Sequence, residues 1–207
     1  MNCFKKLVLL SFVAFFLLGA CINLEQPNLK VHYYTLEYET QPIADLKPLP
    51  VIIRLDRFNV APVFNTNRII YREQSFKREA YVYHKWQANP GELVSYLLAR
   101  DMQQSGLFEG VFSYSSSLTP SHILSGSVDE FLEWDTEGAW QAVLALNVTL
   151  VAQHQSDARD GVLFQRAYRC EETCDQKNPR ALAEAMSRAM AKISGEIIED
   201  IHSSLSQ

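Results

Sequence analysis

Apolar residues along this chain recur in two rhythms. In several stretches they alternate with polar neighbours, as on a half-buried strand. In two others they return every three to four residues, as on one face of a helix. The first strand-like stretch is VHYYTLEYE at 31–39, rich in aromatic residues. A proline-rich loop follows, then VIIRLDRFNV at 51–60, which opens as an apolar run and goes on to alternate. RIIYREQ (68–74) and EAYVYHKW (79–86) read as hairpin partners around SFKR, and a short strand is predicted near 110–114. HILSGSVDEFLEW (122–134) and AWQAVLALNVTLVAQHQ (139–155) flank DTEG, a turn sequence, and predict a long antiparallel hairpin. GVLFQRAYRCEE (161–172) adds a third strand to that hairpin.

The helical rhythm marks two segments, and both open on Asn-Pro. In NPGELVSYLLARDMQQSG, Asn89 suits the N-cap, Pro90 the first helical position, and Glu92 the far end of a capping box. Leu93, Tyr96, Leu97 and Arg100 share one face, which Val94 and Leu98 widen, and Gly106 suits the left-handed position past the end. The last segment opens at Asn178-Pro179 and repeats Leu182, Met186, Ala189, Ile193, Ile197 and Ile201 at helical spacing. Gly195 in its interior weakens it by roughly 1 kcal/mol relative to Ala. Runs of strands punctuated by two helices predict a single α+β domain, with a mostly antiparallel sheet and both helices packed on one face.

The start of the chain has a different pattern. Lys5 and Lys6 precede LVLLSFVAFFLL, an uncharged run the length of a signal-peptide core and short of the ~20 residues a membrane-spanning helix needs. Leu18-Gly19-Ala20-Cys21 then resembles the bacterial lipobox. That resemblance implies cleavage before Cys21 and a covalent diacylglyceryl group and N-acyl chain on it, with no other cofactor. An ordinary cleaved signal, an uncleaved anchor and a buried helix are the alternatives. Several acyl chains hold a protein firmly at a bilayer without spanning it. The expected layout is a lipoprotein signal peptide at 1–20, an acylated tether at 21–30 and a folded domain at 31–205. Ile22 and Asn23 follow the cysteine, and the absence of Asp there resembles an outer-membrane, periplasm-facing address.

Composition narrows the chemistry. The net charge is −5, more negative once Lys5 and Lys6 leave, and no Lys/Arg cluster suggests nucleic acid. The histidines, at 32, 84, 122, 154 and 202, form no metal-ligand spacing. Glu130, Glu133, Asp135 and Glu137 are the densest acidic cluster and are expected to be exposed on a hairpin and its turn. Cys170 and Cys174, in CEETC, suit a small disulfide clip in an oxidising compartment. Free thiols, and more weakly a zinc or redox pair, are the alternatives.

The stretch IIYREQSFKREAYVYHKWQ interleaves Tyr71, Phe76, Tyr81, Tyr83 and Trp86 with Arg72, Lys77, Arg78 and Lys85. In an acidic protein that mixture suggests a protein interface or lipid-headgroup contact, with Tyr71, Arg72 and Trp86 as candidate partner-binding residues. The competing reading is a two-faced hairpin with one face in the core. Taken in order, the lipobox, Tyr33-Tyr34-Thr35-Leu36, the strand ending near RFNVAP, Ile69 to Arg72, Trp86 before the first helix, and Leu124, Gly126, Val128 and Phe131 resemble the ABC-type transport auxiliary lipoproteins. The KWQANPGE segment and the Cys170/Cys174 pair depart from that pattern. The resemblance implies a non-enzymatic part in moving lipids or other hydrophobic molecules across the envelope. It also implies an MCE-domain (mammalian cell entry) protein and inner-membrane transporter components as partners, with a homo-oligomeric collar as a further expectation. An outer-membrane assembly lipoprotein and a periplasmic hydrolase are the competing functions, and the sequence displays no nucleophile with an adjacent base for the latter.

Overall fold

The computed structural model describes residues 29–40, 42–43, 46–136, 138–153 and 161–206. The expected signal peptide, Cys21 and most of the tether, together with Glu137 and His154, lie outside the described residues. In chain order the elements are β1 (His32–Tyr34), β2 (Leu49–Leu55), β3 (Asn59–Val60), β4 (Arg68–Arg72), β5 (Glu79–Trp86), α1 (Pro90–Gln104), β6 (Phe108–Ser113), β7 (His122–Asp135), β8 (Trp140–Ala152), β9 (Val162–Thr173) and α2 (Pro179–Leu205).

All the described strands join one mixed sheet organised by β7. Along one edge β7 pairs antiparallel with β8 from His122↔Ala152 to Asp135↔Trp140, and β8 pairs antiparallel with β9. These are the three strands that the alternation predicts. Along its other edge β7 receives three short parallel partners in succession: β2 at Leu124, β3 at Val128 and β4 at Glu133 and Trp134. From β2 the sheet continues to β6, parallel, and from β4 to β5, antiparallel, and on to β1, parallel. The long antiparallel ladders carry the expected character of the sheet, and the parallel pairs are an addition to it.

Both helices cover one face, where Leu124, Phe131, Leu144, Leu146 and Leu150 are buried beneath Val94, Leu98, Met186, Met190 and Ile197. The helix starts follow the predicted chemistry. Asn89 Oδ1 accepts the Gly91 N–H at 3.0 Å, and Asn178 Oδ1 accepts that of Ala181 at 2.9 Å. Glu92 does not complete a capping box, because its carboxylate pairs with Arg57 at 2.8 Å. Past α1, Gly106 sits at φ 65°, the left-handed conformation that glycine adopts freely.

The predicted strand at 31–39 is shorter than expected. β1 stops at Tyr34, and residues 36–40 leave the sheet to bind the helices. Leu36 is buried, the Glu37 N–H donates to Ser187 Oγ of α2 at 3.0 Å, and Tyr38 Oη and Thr40 Oγ1 donate to the two oxygens of Asp101 of α1 at 2.6 Å each. Arg100 also donates to Asp101 Oδ1, at 2.8 and 3.0 Å, and its guanidinium lies 4.4 Å from the centre of the Tyr38 ring. Asp101 is 2% exposed, so these partners replace the water it loses.

Two glycines have opposite structural meaning. A Cβ at Gly126 would collide with the Asn147 carbonyl oxygen and stand 2.7 Å from the Phe58 ring, whereas one at Gly195 meets nothing within 4 Å. Gly126→Ala is therefore expected to lower stability by about 1–3 kcal/mol through overpacking. Gly195→Ala is expected to raise it by about 0.5–1 kcal/mol through helix propensity. Urea unfolding of the two variants beside the parent checks both signs.

Candidate functional site

The aromatic hairpin β4–β5 has an inside, an outside and a tip. Trp86 is inside: it is 1% exposed and packs edge-on against Phe131 at 5.1 Å. It is thus a core residue and offers no ring to a partner, contrary to the expectation, because the alternation that ends β5 points it toward the helices. Tyr71 is half-buried, with its hydroxyl donating to Glu79 and its ring 4.9 Å from that of Tyr81. Arg72 lays its guanidinium over Trp134 at 4.4 Å, and its Nε is buried without a hydrogen-bond partner.

Tyr81 reaches from β5 to both oxygens of Glu133 on β7, at 3.1 and 3.2 Å. Glu133 is 1% exposed, which corrects the expectation that it lies at the surface. The cause is a β-bulge between Val128 and Glu130. Strict alternation from the buried Val128 would aim residue 133 outward. The extra residue reverses the phase and turns Phe131 and Glu133 inward together. Burial pushes the Glu133 carboxyl up to about 7, aided by the nearby charges of Asp135 and Glu73 and opposed by the Tyr81 hydrogen bond and by Lys177. On the same hairpin His84 stacks on His32 at 5.5 Å and shares a 3.0 Å hydrogen bond with Tyr34 Oη. Burial lowers the affinity of His84 for a proton.

At the tip, between β4 and β5, Phe76 is fully exposed (105%) and adopts φ 64°. For a bulky residue that backbone conformation is uncommon and disfavoured. Lys77 pairs with Glu79, and Arg78 donates to the Lys77 carbonyl at 3.0 Å.

A second surface lies toward the other end of β7, between α1 and β6. A groove of about 520 Å³ runs there, bordered by Arg57, Tyr96, Arg100, Phe112 and Tyr114. Tyr96 is 71% exposed and Tyr114 58%. The sequence pattern placed Tyr96 on the packing face of α1. The buried face instead centres on Val94, Leu97, Leu98, Asp101 and Met102, and Tyr96 turns to the groove. Beside it β6 pairs with β2 among the described strands, and Gln103 Nε2 of α1 donates to its Val111 carbonyl at 2.9 Å. Exposed aromatics beside an outer strand form an arrangement that binds extended segments. This surface lacked a sequence signal beyond Tyr96, since Tyr114 stands in a polar SSS turn. The β2–β7 register at Leu55↔Leu124 and the β4–β7 register at Arg72↔Trp134 place groove and hairpin tip roughly 30 Å apart along β7.

Cys170 and Cys174 are free thiols here, so the expected clip is not formed. β9 runs through Thr173, and the Cys174 N–H continues the ladder to the Trp140 carbonyl at 2.7 Å. Four residues of extended chain separate Cα atoms by about 13 Å, well outside the ~4.4–6.8 Å of a disulfide. Burial raises the affinity of both thiols for their protons, that of Cys174 to about 11. Among the described residues no group of His, Cys, Asp and Glu could hold a metal ion, and no helix is long and apolar enough to cross a membrane.

A family model for the ABC-type transport auxiliary lipoprotein component matches residues 34–198. The chain belongs to this family. The family is a transport auxiliary one rather than an enzyme family, and membership makes this chain an auxiliary component of an ABC-type system with transporter partners. No curated protein matches the chain. Among solved structures, a Xanthomonas campestris protein of family DUF330 superposes with a TM-score of 0.76 at 16% identity, covering 84% of this chain and 96% of that one. A Chlamydia trachomatis protein, described as hypothetical, superposes with a TM-score of 0.54 at 7% identity, covering 76% and 98%. At these identities the likeness is one of fold. The family match runs from the last residue of β1 to the body of α2 and so covers β2 to β9 and α1 in full.

Glu133 gives this fold a pH signature. Its carboxyl titrates near 7 when folded, against an ordinary value of 4.5. The folded state therefore holds the proton more tightly than the unfolded state does. No penalty exists below pH 4.5; it grows as the pH rises toward 7 and is complete above that. Glu133→Gln is expected to be more stable than the parent above pH 7, by up to about 3 kcal/mol, and equal to it below pH 4.5. Urea midpoints across that range check the prediction, and a constant difference at every pH would refute it.

Proposed function

We propose that this chain is held at the periplasmic face of the outer membrane by acyl chains on Cys21. There it serves a transport system that moves lipids or other hydrophobic molecules across the envelope, docking an MCE-domain protein that connects to inner-membrane components. In this reading it catalyses no reaction. The observation that carries the docking role is the groove between α1 and β6, where Tyr96 and Tyr114 stand exposed beside β6, the outer described strand on that side. An extended segment of the partner pairs with β6 and stacks on the two tyrosines. Backbone hydrogen bonds supply affinity, and the aromatic rings supply much of the specificity. Anchoring supports the same job, because a tethered domain meets its partner at high effective concentration and a moderate groove then suffices.

Crosslinking capture from membranes tests the proposal. Tyr96→Ala/Tyr114→Ala is expected to lower capture of an MCE-domain partner about tenfold while the variant stays folded. Cys21→Ala is expected to move the chain from the membrane to the soluble fraction. Trp86→Ala is expected to lose about 3–5 kcal/mol of stability, so its binding defect would follow unfolding. Undiminished capture by the groove variant, or capture of a β-barrel instead, would sink the assignment.

A further inference from the structure

The hairpin tip remains without a use in the docking reading. Phe76 is fully exposed at positive φ, where a glycine would relax the backbone and a polar residue would cost nothing in solubility. Core packing does not account for a large apolar side chain at such a position, since Phe76 is outside the core.

Three observations say what faces it. The first is direction. β1 runs parallel to β5 with His32 beside His84, and β5 begins at Glu79, directly after the tip. Followed backwards from His32, the strand direction points to the end of the sheet that carries Phe76. The second is charge. Lys77 and Lys177 at this end are paired with Glu79 and Asp135. Arg72 and Arg78 share a surface depression with Phe76, Asp129 and Glu130. Glu130 is paired with Arg169, Asp129 accepts from Ser127 Oγ, and neither arginine has an ion-pair partner among the described residues. Arg72 has one guanidinium face on Trp134 and Arg78 spends one N–H on the Lys77 carbonyl, but neither is neutralised by a carboxylate, and phosphate is a group arginine binds well. The third is composition. Half-buried Trp134 and Trp140 close β7 and open β8 at this end, and Trp beside Arg and Lys is the mixture found at the boundary between lipid and water.

We infer that the β4–β5 tip rests on the bilayer that anchors the chain, with Phe76 inserted among the acyl chains and Arg72 and Arg78 on lipid phosphates. The inference rests on the reading that Cys21 is acylated. Extended, the ten residues from Ile22 to Val31 reach about 35 Å, whereas His84 lies only about 17 Å along β5 from Glu79. The tether therefore leaves the orientation of the domain open, and Phe76 supplies it. With the tip on the membrane, the groove between α1 and β6 stands roughly 30 Å from it along β7.

The test uses the full acylated chain in vesicles of phosphatidylethanolamine and phosphatidylglycerol with brominated acyl chains. Phe76→Trp places a reporter at the tip and Tyr114→Trp one at the groove, each measured against the parent. The expected result is that both variants float with the vesicles. The emission added at position 76 shifts to the blue and is quenched by bromine, while that added at 114 does neither. Flotation without a shift at 76, or with quenching at 114 instead, overturns the tip inference and leaves anchoring intact. Failure to float overturns both, since nothing then holds the tip at a bilayer. Loss of partner capture in Phe76→Ser, together with unquenched emission from Phe76→Trp, makes the tip a protein contact and refutes the lipid assignment.

Discussion

The hydrogen-bond ladder of β7 is the constraint on which the rest of the structure depends. One edge of this 14-residue strand is paired with β8 along its whole length, and the other is shared by β2, β3 and β4. Three short strands from the first 72 residues thus take successive positions along β7, β2 also pairing with β6 and β4 with β5. β3, two residues long, has no stability of its own. A long strand buried on both edges must also bury at least one face, and the helices meet that demand with α1 over one part and α2 over β8 and β9. The segment at 36–40 then ties the two helices together through Ser187 and Asp101.

The bulge near Asp129 gives β7 two halves with opposite phase. Below it, Leu124 and Val128 face the helices; above it, Phe131 and Glu133 do. A carboxyl group is thereby carried into the interior next to the hairpin. Removing it from water without a cation costs several kcal/mol if it stays charged, and the site answers in two ways. Tyr81 donates to both oxygens, and the group keeps its proton to higher pH. The bond also links β5 to β7 across β4, so a destabilised acid becomes a cross-brace for the hairpin.

What the sequence made legible was local. Asn89-Pro90 and Asn178-Pro179 start the helices, Gly106 follows the first one, and the alternation in β7, β8 and β9 fixes their pairing, because each signal depends on neighbours a few residues away. The parallel pairs β2–β6 and β1–β5 join segments distant in the chain and leave no turn signal between them. The burial of Glu133 depends on one inserted residue, which a period-two count passes over. Tyr96 was assigned to the wrong face for a related reason: helical spacing gave a stripe, and only the packed neighbours show where its centre lies. The CEETC spacing suggested a small disulfide clip, whereas the β8 ladder draws that segment straight.

The hairpin illustrates how interface-like composition and interface can separate. Tyr71, Arg72 and Trp86 have the side chains expected of a binding hot spot, yet each is engaged within the molecule: Trp86 with Phe131, Tyr71 with Tyr81 and Glu79, Arg72 by its guanidinium face with Trp134. Their common effect is mechanical. They fix the root of β4–β5 against β7 from both faces of the sheet, so the tip cannot swing down to cover its own phenylalanine. A flexible hairpin would fold Phe76 onto the nearest apolar surface, since burying such a side chain is worth about 1.5–3 kcal/mol. Stiffness at the root is what keeps it exposed. An exposed apolar tip on a stiff stem is already ordered when the chain folds, so contact with a second surface loses little further entropy. In the proposed arrangement that surface is a bilayer, and the groove at the far end of β7 is left to the partner.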